Sequence, residues 1–211
     1  MKARLRLVYV LAVLSSAHAL HAADASSLKP PPGAKVAIIV FEDLQCGDSA
    51  RAYPLLAQAA SAHHIPIVLY AFPLPMHNWA FDAAVWARFF DLKSERLGSQ
   101  FRDYIYANQN RITFANLPQF VQGFGDENKV PIPSAYDPDG KLAEKVQSDF
   151  ALGQQIGLLH TPTVFVVGQN GVSAPLVEAV SRDELNQLID DMLKKTEAEV
   201  PRKRAARKNT R

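Results

Sequence analysis

One cysteine, Cys46, serves a chain of 211 residues. It can close no internal disulfide, so a disulfide framework is excluded and the thiol is either buried and inert or free and reactive. Metal chemistry is equally short of ligands. His63 and His64 sit side by side at the end of a helical stretch, and no Cys/His/Asp spacing of a zinc site occurs. Beyond the N-terminus no apolar run reaches membrane-spanning length, and no internal repeat is visible. Acidic residues are missing from both ends. Residues 1–22 carry three basic residues and no acid, and PRKRAARKNTR at 201–211 carries six and none. The body between them holds 14 basic against 21 acidic residues, a net of −7, which argues against a nucleic-acid partner. The basic end, 196–211, is expected to be a solvated, disordered tail, with contact to anionic lipid or a cell-wall polymer as the alternative.

At the start of the chain, Lys2, Arg4 and Arg6 precede the apolar run Leu7 to Leu14, and Ala17 and Ala19 form an A-x-A site. This is the pattern of a secretory signal peptide, residues 1–22, cleaved after Ala19 or Ala22. The apolar run is too short for a stable span, so export to a periplasm or the exterior is expected without a membrane anchor. Residues 23–34 contain KPPPG and read as a Pro-rich linker.

The body begins near Lys35. VAIIVF at 36–41 is a continuous β-branched run, the pattern of a strand buried on both faces. A helical pattern from Gly47, with Pro54 expected to kink it, leads to a second buried strand in IPIVLYAFPL at 65–74. Strand, helix, strand in this order predicts a parallel βαβ unit. Residues of about 77–135 are dominated by helical patterns and form an expected helical insert. A helix follows DPDG, with Leu142, Val146, Phe150 and Gly153 on one face. VFVVG then gives a third strand, QNG a hairpin turn, Leu176 to Val180 its partner, and Ser181 with Glu184 a capping box for the last helix. The fold class is therefore α/β. Trp79, Trp86, Phe89 and Phe90 are expected in the core rather than along a groove. MHNW at 76–79 follows the second strand and is a candidate for a groove, with no role assigned.

Cys46 falls just after a strand and at the first turn of a helix. Unpaired N–H groups and the positive end of the helix dipole favour the thiolate there, and the thiolate is the nucleophile. A small core hydrophobe is the other fate of a free cysteine. Asp48, two residues on, opposes the thiolate by its charge. Glu42 and Asp43 are candidate proton carriers beside the thiol, or else solvated acids on a loop.

Several stretches together resemble the DsbA-like thioredoxin-fold thiol-disulfide oxidoreductases: VFEDLQC, Pro54 within the first helix, FPLPMHNWAFDAA, FALGQQIGLLHTPTVFVVG and the helical insert, spanning about residues 35–195. The resemblance implies a thioredoxin-like fold, a central mixed sheet flanked by helices with the insert between its halves. It also implies that Pro162 is cis and faces Cys46, and that Thr161 offers its backbone to an extended substrate. His160 could stabilise the thiolate as imidazolium, or be an uninvolved loop histidine. The chain departs from the family at Cys46-Gly47-Asp48-Ser49. Ser49 replaces the resolving cysteine, so it can at most donate a hydrogen bond to the Cys46 thiolate, and any mixed disulfide needs an outside thiol for its release. Gly47 and Asp48 would then flank the substrate. The expected partners are protein or peptide thiols and disulfides, with glutathione or another small thiol as co-reactant, and no cofactor is implied. A redox-inactive, peptide-binding or chaperone-like module is the competing reading. CGDS also resembles the CGFS of monothiol glutaredoxins, which hold an iron-sulfur cluster with glutathione, but the signal peptide, insert and surrounding sequence favour the DsbA-like reading.

Overall fold

The computed structural model describes residues 24–208, with side chains described as far as 198. The expected signal peptide, 1–22, and the last three residues of the basic tail lie outside the described residues.

Strand β1, Val36–Glu42, is buried at all seven positions. It runs parallel to β2, Ile67–Ala71, with Ile39 beside Val68, and antiparallel to β3, Thr163–Gly168, with Ile39 opposite Phe165. Alternation then sends residues to two cores. Ile38, Val40, Val164 and Val166 meet Leu56 of helix α1, Gly47–His63, and Leu185 and Ile189 of helix α6, Arg182–Lys208. Ile39, Phe41, Phe165 and Val167 meet Phe72, Ile156 and Leu158. Helices or loops cover both faces, which explains why β1 carries no polar side until Glu42.

The hairpin after β3 is shorter and more broken than its sequence pattern. Gly171–Val172 (β4) and Leu176–Val177 (β5) pair with opposite ends of β3. Pro175 has no N–H to donate between them, and Glu178 turns away at φ 59° so that its N–H bonds the Pro162 carbonyl.

The insert comprises α2, Ala80–Asp91, α3, Glu95–Asn108, a 3-10 turn at Gln109–Arg111, and α4, Leu117–Glu127. It has its own core, in which Phe90 lies 4.6 Å from Phe101 and 4.8 Å from Phe124 between ring centroids. Trp79, Trp86, Phe89 and Phe90 all belong to that core. Helix α5, Lys141–Gln155, returns the chain to the sheet. Gly153 passes so close to Phe72 that a Cβ would lie 2.4 Å from a ring carbon, so only glycine fits.

Two boundaries differ from the sequence pattern. Within the stretch expected to be a linker, Ala25 and Leu28 are buried against the sheet core with Phe165 and Val167, because the turn before the prolines points both apolar side chains inward. The backbone of α6 continues to Lys208, into the segment expected to be a disordered tail. Among the described residues no helix is long and apolar enough to cross a membrane.

Candidate functional site around Cys46

Cys46 is the N-cap of α1, with φ −81° and ψ 125°, and no side chain caps the helix there. The first-turn N–H groups are therefore without a side-chain acceptor. Cys46 is 7% exposed, and its Sγ donates to the backbone carbonyl of Thr161 at 3.2 Å. The Thr161–Pro162 peptide bond is cis. Thr161 is itself buried, and its Oγ1 has no hydrogen-bond partner among the described residues. The structure thus brings Cys46, Thr161 and Pro162 together across 115 residues of sequence.

The remaining candidates are placed differently. Gly47 opens α1 beside the Arg51 guanidinium. Asp48 forms an exposed ion pair with Arg51, so its charge is partly answered one turn along the helix. Ser49 is buried, but its hydroxyl oxygen accepts the Asp43 N–H at 3.3 Å, and no bond to Cys46 is made. The Ser49 hydroxyl thus ties the first turn of α1 to the turn that precedes the cysteine. His160 is exposed and pairs through Nδ1 with Glu178 at 2.9 Å rather than with the thiol.

Neither acid is a solvated loop residue. Glu42 ends β1 in a buried network in which it accepts Arg102 Nε at 2.7 Å and the Tyr106 hydroxyl at 2.9 Å. The Arg102 guanidinium also grips Asp91, at 2.7 and 3.0 Å. Burial alone would push the Asp91 carboxyl up, but Arg102 and Arg88 outweigh it and hold the carboxyl below the usual range. Glu42 thus joins the end of β1 to the insert through Arg102 and Tyr106.

Asp43 is the hub of the turn. Its side chain is fully buried, and burial pushes the carboxyl up against three donors that pull it down. Those donors are the N–H groups of Gln45 and Leu74 and His77 Nδ1, each at 2.7 Å. Four further contacts reach the turn from outside. The Leu44 side chain is packed in the insert core, Gln45 Oε1 accepts the Trp79 N–H at 2.9 Å, and Gln109 Nε2 donates to the carbonyls of Leu44 and Cys46 at 2.8 and 3.1 Å. His77 lay inside MHNW and could have been flagged by its place after β2. Gln109 carries no sequence signal of its own. Among the described residues, no group of three His, Cys, Asp or Glu side chains is placed to hold a metal ion.

With this geometry in hand, comparison with solved structures places the fold. The chain is similar to alpha-DsbA1 of Wolbachia pipientis, at TM-score 0.66 and 15% identity over 81% of this chain and 92% of that one. It is also similar to the thiol-disulfide exchange protein alpha-DsbA2 of the same organism, at TM-score 0.61 and 15% identity over 78% and 85%. Pseudomonas aeruginosa DsbA2 gives TM-score 0.57 and 18% identity over 78% and 92%. No protein-family model matches the chain, and no curated protein matches it. The α/β fold is thus the thioredoxin-like one of DsbA-type structures.

Proposed function

We propose that this protein carries out thiol-disulfide exchange through Cys46 alone, after export to a periplasm or the exterior. The observation that carries the reading is the position of the thiol, at an uncapped helix N-terminus and in contact with the carbonyl that precedes Pro162. The Cys46 thiolate attacks one sulfur of a substrate disulfide, forming a Cys46–substrate disulfide and expelling the other sulfur as a thiolate, which takes up the proton. A second thiol attacks the substrate sulfur of that adduct, forms a new disulfide with it and returns Cys46 as a thiol. When the second thiol belongs to the substrate, the outcome is an isomerised disulfide. When it is a small thiol, the substrate is left as a mixed disulfide, which a second small thiol cleaves to give the reduced substrate and the small-molecule disulfide, since Ser49 leaves no internal disulfide to pass on. Protein or peptide disulfides are the proposed substrates, and glutathione or another small thiol supplies the release step.

The test is incubation of residues 23–211 with oxidised glutathione across pH, followed by intact-mass spectrometry. Rapid appearance of one glutathione adduct on Cys46, removed by added thiol, supports the reading. A thiol that stays unmodified under these conditions would overturn it. The burial of Cys46 and the hydrogen bonding of Ser49 away from it favour one second reading, a peptide-binding module without redox activity. That reading requires Cys46→Ala to bind the same peptides as the wild type.

A further inference from the structure

The four residues from Asp43 to Cys46 form a short turn, yet their polar groups and the Leu44 side chain are held from several directions. Within the turn, the Cys46 N–H bonds the Asp43 carbonyl at 3.0 Å. From the loop after β2, His77 Nδ1 and the Leu74 N–H reach the Asp43 carboxylate. From the end of α3, one Gln109 amide nitrogen donates to the carbonyls on both sides of Gln45. An ionised carboxylate only accepts and a backbone carbonyl only accepts, so both outside groups must act as donors.

Neither donor is needed to build the cores. His77 is 23% exposed along its side chain and Gln109 is half-buried. His77 borders a cavity of about 450 Å³ whose other walls include Phe81 and Phe150, and Gln147 and Gln154 of α5 bring no charge to it. What the two donors share is the segment they hold, which sets the direction in which Cys46 leaves the sheet and enters α1. The Cys46 carbonyl that Gln109 contacts is also the one that accepts the first helical N–H, from Ala50 at 3.1 Å.

We infer that His77 and Gln109 are positioning residues for Cys46: together they fix the turn that places its sulfur at the helix N-terminus and against Thr161. The inference rests on Cys46 being the exchanging thiol. Both residues act through the turn and neither touches the sulfur, so neither is catalytic in the strict sense. Loss of either donor frees the turn that carries Cys46 and lets its sulfur shift from its place against the Thr161 carbonyl, and small displacements of a reacting atom are expensive in rate.

The experiment compares His77→Leu, His77→Asn, Gln109→Leu and Gln109→Glu with the wild type in residues 23–211. Three quantities are read for each: the rate of mixed-disulfide formation with oxidised glutathione against pH, the rate of alkylation by iodoacetamide against pH, and the thermal midpoint. His77→Leu is expected to slow both reactions about tenfold at neutral pH and to displace the pH–rate profile from that of the wild type. In His77→Asn the side-chain amide nitrogen stands where Nδ1 stood, so the rate returns to within about twofold of wild type. Gln109→Glu, which puts an acceptor oxygen where Nε2 donated to two carbonyls, is expected to be slower than Gln109→Leu. Wild-type rates and profiles in His77→Leu and Gln109→Leu would overturn the inference. So would rate losses that follow the thermal midpoint alone, or that His77→Asn fails to restore. A wild type that is alkylated but never forms the glutathione adduct would remove the exchange reading, while the alkylation profiles would still decide the positioning role.

Discussion

The Cys46 thiol donates to the Thr161 carbonyl at 3.2 Å, and this one contact joins the turn before α1 to the loop before β3. A neutral hydrogen bond of this kind contributes about 0.5–1.5 kcal/mol, too little to hold the fold but enough to orient a sulfur. Cys46→Ala is therefore expected to abolish adduct formation with oxidised glutathione while lowering stability by only about 1–2 kcal/mol. Intact mass and urea unfolding, measured on the same sample, check both halves.

Replacing Ser49 with cysteine restores the spacing that the chain lacks. Ser49 is buried within the first turn of α1, so the new thiol would lie on the same helix end as Cys46. Ser49→Cys is expected to form an internal disulfide under mild oxidation, read as the loss of two hydrogens in intact mass and of both alkylatable thiols. The substitution also weakens the hydrogen bond from the Asp43 N–H, since sulfur is a poor acceptor. A modest loss of stability in the reduced form, about 1 kcal/mol, should accompany it.

Arg102 is buried and bound to both Glu42 and Asp91. Removing it leaves carboxylates without their counter-charge, and breaking a buried pair in this way costs about 3–5 kcal/mol. Arg102→Met is expected to lose that much in urea unfolding. The double variant Glu42→Leu, Arg102→Met should recover part of it, because one stranded charge is removed with its partner. Equal losses in the single and double variants would mean that packing, not charge, accounts for the cost.

The sheet and the cores were legible because they depend on periodicity. VAIIVF reads as a strand buried on both faces, and β1 is one; the aromatic residues of WAFDAAVWARFF read as core, and Trp86, Phe89 and Phe90 pack there. Cys46, Thr161 and Pro162 were legible as a set through a family resemblance, since nothing in their spacing of more than a hundred residues would join them. The burial of Glu42 and Asp43 was not legible, because the groups that hold them, Arg102, Tyr106 and His77, come from elements that only tertiary packing brings near. Ala25 and Leu28 were hidden in a segment whose composition, rich in small residues and proline, resembles a linker whether or not two apolar side chains find a sheet to cover.

The depressed Asp91 carboxyl gives the fold an acid-sensitive element. A carboxyl whose folded value lies below its unfolded value of about 3.9 contributes stability above that value, and the contribution disappears as pH falls through the folded value. Asp91→Asn is therefore expected to be less stable than wild type at neutral pH, with the gap closing as pH drops from about 4 towards 2. Unfolding by urea at stepped pH measures this directly. A gap that stays constant over the range would show that Arg102 gains nothing from the charge on Asp91.

Gly153 and Phe72 give the sharpest steric expectation. The glycine lies on α5 where the helix crosses the sheet, and the Phe72 ring fills the space that a side chain would take. The same ring stacks on Phe150 at 4.8 Å and meets Phe41 edge-on at 6.3 Å, so it cannot move away without disturbing a core packed on both sides. Alanine ordinarily stabilises a helix interior relative to glycine by about 1 kcal/mol, yet overpacking of a filled core costs about 1–3 kcal/mol. A Cβ 2.4 Å from a ring carbon puts this site firmly in the second regime. Gly153→Ala is expected to be destabilised by about 1–3 kcal/mol, and adding Phe72→Leu should make the alanine less costly than it is beside phenylalanine. A double-mutant cycle in urea separates the two effects: a coupling near zero would place the strain elsewhere, whereas a favourable coupling confirms that helix α5 approaches the sheet as closely as it does because residue 153 has no side chain.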